Sequence, residues 1–306
     1  FFSLILSSDH CLFFFYCSLR SPSFSLFPYT TLFRSLLFLV ASGLTLIFGV
    51  MGVINLAHGV FYMAGAYLVW WLFGLTDSFV LALMGALPLA LLLGIVVEKF
   101  CIAYLYKRDH LDQVLMTYGL ILVFNEAQRI LWGNDVHGVA VPELLSASIQ
   151  LTDTQSYPVY RLFISAVCLG LALGLYGLIQ KTRLGMTIRA AAANREMAQA
   201  MGVDADRLFT LIFGLGAMLA AFSGMIAAPV EAVYPGMGDN VLIVSFVVVV
   251  VGGIGSVRGA FWGAMLIGVA DTFGRALLPD FAAISIYVVM AAVLLWRPQG
   301  LFGQRI

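Results

Sequence analysis

Asn55 and His58, three residues apart in the run GLTLIFGVMGVINLAHG (residues 43–59), are the side chains of this sequence best suited to handling a polar solute. Polar groups placed among apolar residues at membrane depth are costly, and they mark pathways. With Gly59, the two residues form a candidate transport path. A structural role fits them better: Asn55 caps a helix and His58 bonds a backbone carbonyl at a re-entrant turn. Elsewhere Glu126 and Arg129 at i,i+3, and Asp271 and Arg275 at i,i+4, have the spacing of ion pairs on a helix surface. No Ser/His/Asp or Cys/His set and no carboxylate pair is placed for catalysis, so the chain does not read as an enzyme. The run GGIGSVRG at residues 252–259 lacks the lysine of GxxxxGK[ST] and the strand-to-helix setting of a phosphate loop. No nucleotide site is expected. Cys101 and Cys168 lie in apolar segments and Cys11 and Cys17 near the start, without a CxxC, so neither a metal, a cofactor nor a disulfide is expected.

The longest polar interruption is residues 181–207, KTRLGMTIRAAAANREMAQAMGVDADR. Residues 187–201 hold good helix formers with no Pro or Gly, and Gly202 stands where a helix ends. A single short surface helix is predicted there. On it Ile188, Ala191, Ala192, Ala198 and Met201 gather on one side, with Arg195 interrupting the face.

The elements that carry these residues follow from composition. Of 306 residues, 62% are hydrophobic and 10% charged, and the mean hydropathy is +1.00. Such a chain is an all-α polytopic membrane protein. Zero formal net charge argues against nucleic acid, whose phosphates call for an excess of Lys and Arg. Apolar runs long enough to cross ~30 Å of hydrocarbon fall at residues 36–54, 59–75, 80–104, 111–132, 160–180, 208–228, 241–255, 259–278 and 282–296. Residues 55–58 join the first two closely and the seventh is short, which gives eight or nine spans with a re-entrant segment allowed at either junction. Lys107, Arg108, Lys181, Arg183, Arg189, Arg195, Arg207, Arg258, Arg297 and Arg305 then fall on one side, which the distribution of basic residues makes cytoplasmic. Asp77, Asp135, Glu143, Asp153, Glu231, Asp239 and Asp280 fall on the other, where residues 133–158 form the longest loop.

Residues 1–35 form a probe of their own. They begin without Met and lack the divisions of a signal peptide. Residues 28–35, PYTTLFRS, match the translation of an oligonucleotide resembling a common sequencing adaptor. The segment is expected to be read-through fused to a permease domain of residues 36–306, with no evolved fold.

Gly255, Gly259 and Gly263 make two overlapping GxxxG steps, Gly170 and Gly174 a third, and Gly216, Ala220 and Gly224 a stripe of small residues; such faces let helix backbones approach closely. The run TLIFG occurs at residues 45–49 and 210–214, on spans of opposite direction. Inverted repeats are a transporter device, but five residues in so apolar a chain do not establish one.

Residues 43–59, GAY at 65–67, TRLG at 182–185, RA at 189–190, MG at 201–202, GGIGSVRGAFWGA at 252–264 and RPQGLFG at 297–303 together resemble the branched-chain amino-acid ABC-transporter permease family, specifically the subunit with the NLAHG signature. The resemblance runs from residue 36 to the end. Val60 departs from it, since members usually carry an acidic residue there. The family implies a multi-pass permease of the bacterial inner membrane. Its implied partners are separate ATP-binding subunits, a second related permease, a periplasmic amino-acid-binding protein and the lipid bilayer. It also implies that the polar helix couples to the ATPases, through Arg183, Gly185, Arg189, Ala190, Arg195, Glu196, Ala198, Met201 and Gly202. The implied activity is ATP-driven import of Leu, Ile and Val by alternating access. A related urea or short-chain amide permease, or an ATP-independent channel or carrier, are the alternatives.

Overall fold

The computed structural model describes residues 27–106, 108–152, 155–277 and 282–303. Most of the segment read as translated adaptor, and the charges Lys107, Asp153, Asp280 and Arg305 used for sidedness, lie outside the described residues.

The chain folds as α1 (Phe27–Met51), α2 (His58–Thr76), α3 (Phe79–Val97), α4 (His110–Trp132), α5 (Val159–Lys181), α6 (Arg183–Ala193), α7 (Arg195–Ala200), α8 (Ala205–Ala227), α9 (Met237–Gly252), α10 (Val257–Leu277) and α11 (Ala282–Trp296). A π-helical turn (Glu98–Ile102) and a 3-10 turn (Ala103–Leu105) prolong α3. α1 begins inside the 1–35 segment, at Phe27.

All nine apolar segments fold as helices, but they do not all cross independently. Among the described residues, six helices are long and apolar enough to span a bilayer. α9 and α10 form a pair bent by 117°, and the last apolar helix is shorter, Ile284–Trp296. The bend follows from Gly253 and Gly255, whose φ values of +99° and +77° lie in the left-handed region that favours glycine. They reverse the chain so that Gly259 packs on Gly252 and Gly263 on Val248.

α8 lies at the centre, with 72% of its apolar window buried, whereas α3, α4 and α5 bury 28%, 22% and 17%. Away from the helix ends the outward side chains of α3 to α5 are mostly apolar, the surface that lipid covers. Small residues let α8 touch its neighbours through the backbone. Gly216 meets Gly43 and Ile47 of α1, Gly224 meets Tyr62 of α2, and Ala221 meets Gly65. α1 runs antiparallel to α8, since Leu36 O accepts from Ser223 Oγ (3.1 Å) while Gly43 faces Gly216 further along. The GxxxG step at Gly170 and Gly174 meets no other part of the described chain.

The two TLIFG runs are not equivalent positions of a repeat. One closes α1 and the other opens α8, at the same end of the bundle. Residues 133–158, expected as a loop, contain a 3-10 turn (Glu143–Leu145) and a hairpin of β1 (Ser148–Thr152) with β2 (Gln155–Pro158). A bridge between His137 and Val233 ties this segment to the α8–α9 connection.

Candidate functional site

Gly52, with φ +65°, ends α1, and residues 52–57 turn back without helical structure. They carry the chain far inward. His58 Nε2 is hydrogen-bonded to Val40 O (3.0 Å), and the His58 ring lies against Gly43. Val40 is eleven residues before the end of α1, and at 1.5 Å per residue His58 therefore starts α2 about 16 Å back along α1. Non-helical backbone at such depth is tolerated where protein buries it. The α9 first turn arrives at the same place, since Gly238 packs on Gly59 backbone to backbone and Leu242 adjoins it. Two helices thus begin side by side at the level of mid-α1.

The polar atoms at this break have few partners. Asn55 and His58 are both fully buried. Asn55 caps nothing: α2 has Ala57 at its N-cap and no side-chain cap bond. Neither Asn55 Oδ1 nor Nδ2, nor His58 Nδ1, has a hydrogen-bond partner. Ser245 Oγ, buried on α9, is in the same position.

The polar stretch is two helices rather than the single helix expected over residues 187–201. Thr182 caps α6 by accepting from Gly185 N (3.0 Å), so helix begins four residues earlier. Asn194 breaks it, adopting extended backbone, and its Oδ1 accepts from Met197 N (2.9 Å) to start α7. Asn competes for backbone groups in this way, which favours caps over helix interiors. α7 ends at Ala200, and Gly202 has φ +89°. The break re-phases the two faces. Gly185, Ile188, Ala191 and Ala198 are buried, but Ala192 and Met201, expected beside them, are exposed. Gly185 packs on the end of α5, where no Cβ fits. Arg183, Arg189, Ala190, Glu196, Met201 and Gly202 face outward, with Met186, Met197 and Met201 forming an apolar part of that surface (59%, 61% and 81% exposed).

Arg195 is held from inside. Its guanidinium lies 4.5 Å from the Phe209 ring centroid and 5.8 Å from that of Tyr106. The Tyr106 hydroxyl donates to Glu98 Oε1, and Thr210 Oγ1 donates to Glu98 Oε2 (2.7 Å). Burial, and then the Glu98 carboxylate, push the Tyr106 phenol well up, so it stays a donor. Glu98 is 2% exposed and opens the π-helical turn of α3. The result joins α7, the α8 start and the α3 end. Sequence reading missed Glu98, Tyr106, Phe209 and Thr210; the available signal was a lone carboxylate among apolar residues.

At the opposite end of the bundle, Tyr62 donates to Glu231 (3.0 Å), and Tyr67 stacks on Trp132 and Trp70 on His137. Glu126–Arg129 (3.3 Å) and Asp271–Arg275 (2.9 Å) form the expected ion pairs. Among the described residues no group of His, Cys, Asp and Glu could hold a metal ion.

A family model for the branched-chain amino acid transport system permease component matches residues 28–296. The chain is 28% identical to the high-affinity branched-chain amino acid transport system permease protein BraD of Pseudomonas aeruginosa over 281 residues, covering 87% of this chain and 91% of that one. Against the permease protein LivH of Escherichia coli the identity is 26% over 283 residues, with the same coverages. Against LivM, a second permease protein of that name in the same organism, it is 24% over 288 residues, covering 85% and 66%. No solved structure gives a significant match.

Proposed function

The chain belongs to the branched-chain amino acid transport permease family, and on that premise we propose that it is the membrane-spanning subunit of an ATP-driven importer of Leu, Ile and Val. It is a multi-pass inner-membrane protein. Separate ATP-binding subunits supply the energy, a second related permease completes the pore, and a periplasmic amino-acid-binding protein delivers substrate. ATP-driven closure of the ATPases pushes on α6 and α7 from the cytoplasm, and the bundle alternates between outward and inward access.

The observation that carries this reading is the two-sided character of the α6–α7 element. Its inner face, Gly185, Ile188, Ala191 and Ala198, is packed on the bundle, while its outer face exposes Met186, Met197, Met201 and Arg183, beside Arg189, whose guanidinium donates to Ile179 O. Exposed apolar residues among charges, on an element rigidly tied to two spans, are what a docking surface needs. Gly185 and Ala198 therefore hold the element in place, and Arg195 anchors it.

The test is uptake of labelled leucine by proteoliposomes holding the assembled transporter with its binding protein. ATP-dependent, vanadate-sensitive uptake outcompeted by valine and isoleucine is expected. Competition by urea in their place would move the substrate to short amides. Vanadate-insensitive uptake by the lone chain would overturn the ATP-driven reading.

A further inference from the structure

We propose that the break between α1 and α2, with the facing side of α9, is a binding site for the zwitterionic head and branched side chain of the transported amino acid. The inference rests on the transport reading above and adds to it the place and the chemistry of recognition.

The polar half of the site is Asn55, His58 and Ser245. All three are fully buried, and Asn55 Oδ1 and Nδ2, His58 Nδ1 and Ser245 Oγ lack hydrogen-bond partners. Folded proteins pair nearly all such groups, so a concentration of unpaired ones calls for an occupant. Ser245 belongs to this cluster by helix geometry. It falls on the side of α9 that carries Gly238 and Leu242, seven and three residues away respectively, and those two adjoin Gly59. One turn beyond Leu242, Ser245 lies alongside the segment that enters α2.

The chemistry matches an amino acid. His58 Nε2 faces the Val40 carbonyl, which only accepts, so Nε2 carries the proton and Nδ1 is an acceptor. Nδ1 and Asn55 Oδ1 can then receive the substrate ammonium, while Asn55 Nδ2 and the Ser245 hydroxyl donate to its carboxylate. The first turn of α2 adds the positive end of a helix dipole, which favours a carboxylate. Transporters place such half-helix starts at membrane mid-depth.

The apolar half adjoins it. A cleft of about 310 Å³ is lined by Leu56, Leu242, Ile243, Phe246, Val247 and Met290, with no polar lining. Its size is at the small end of the roughly 300–1,000 Å³ range of small-molecule sites. Leu56 follows Asn55 in sequence and Leu242 adjoins Gly59, which sets the cleft beside the break. An aliphatic side chain fits such a surface, whereas urea has nothing to place there.

The experiment uses the assembled transporter with its binding protein in proteoliposomes. Wild-type leucine uptake tests the transport reading by itself; the variants test the site. Asn55→Asp brings a carboxylate against a carboxylate, and it is expected to lower leucine uptake about tenfold or more. Phe246→Trp fills the cleft, and it is expected to lower uptake of leucine relative to valine about fivefold. Both substrates arrive by the same route, and this ratio decides if Asn55→Asp assembles poorly. Wild-type uptake in Asn55→Asp, or an unchanged leucine-to-valine ratio in Phe246→Trp, would overturn the proposal even with leucine transport established.

Discussion

The Arg195 guanidinium lies over the ring of Phe209, 4.5 Å from its centroid, and so ties the second helix of the polar element to the first turns of the central span α8. The two residues lie fourteen apart in sequence, on consecutive helices. The contact gives a motion of α7 a direct route into the most buried helix of the bundle.

Removing that stack should loosen α7 without unfolding the spans. Cation–π contacts are worth about 0.5–2 kcal/mol, and Arg195→Ala is expected to reduce amide-exchange protection in α7 by that amount, with Arg195→Lys in between. Unchanged exchange in Arg195→Ala would show that other contacts hold the helix.

Thr210→Val leaves Glu98 Oε2 without its donor in a buried setting. An unsatisfied buried acceptor costs about 1–3 kcal/mol, to be read as a lower thermal midpoint in detergent. Tyr106→Phe acts on the same carboxylate, so the two losses combined should depart from additivity. Strict additivity would separate the two bonds into independent sites.

Glycines that look alike in sequence should behave differently. Gly224→Leu forces a side chain against the Tyr62 backbone, with an overpacking loss of about 1–3 kcal/mol or more. Gly170→Ala and Gly174→Ala meet open space and are expected within about 0.5 kcal/mol of wild type in the isolated chain. Thermal midpoints of the three purified variants provide the comparison.

Met197→Glu combined with Met201→Glu changes only exposed side chains, and stability should shift by less than about 0.5 kcal/mol per residue. Co-purification with the ATP-binding subunits should be lost. Retained co-purification would move the docking surface off α7.

The sequence made the helices legible because nothing but helix can bury its backbone polar groups over such long apolar runs. The bend at Gly253 and Gly255 was not legible: glycine is compatible with both close helix packing and a left-handed turn, and only the neighbours decide. Asn194 misled for a related reason, since four alanines before it suggest helix continuation while its own amide favours a fresh start. Asn55 and His58 were visible as polar residues in an apolar run. Ser245 was not, because its importance comes from where α9 begins relative to Gly59, a relation between segments far apart in the chain.

At the crossings Gly59–Gly238 and Gly252–Gly259 backbone touches backbone, with no side chains interposed. Elsewhere helices lock by ridges seated in grooves, and a change of crossing angle must lift one set over the other. A glycine pair has no ridge to lift and no rotamer to change. A change of crossing angle meets little steric penalty at such points, a property these two crossings share with the Gly43–Gly216 contact of α1 and α8.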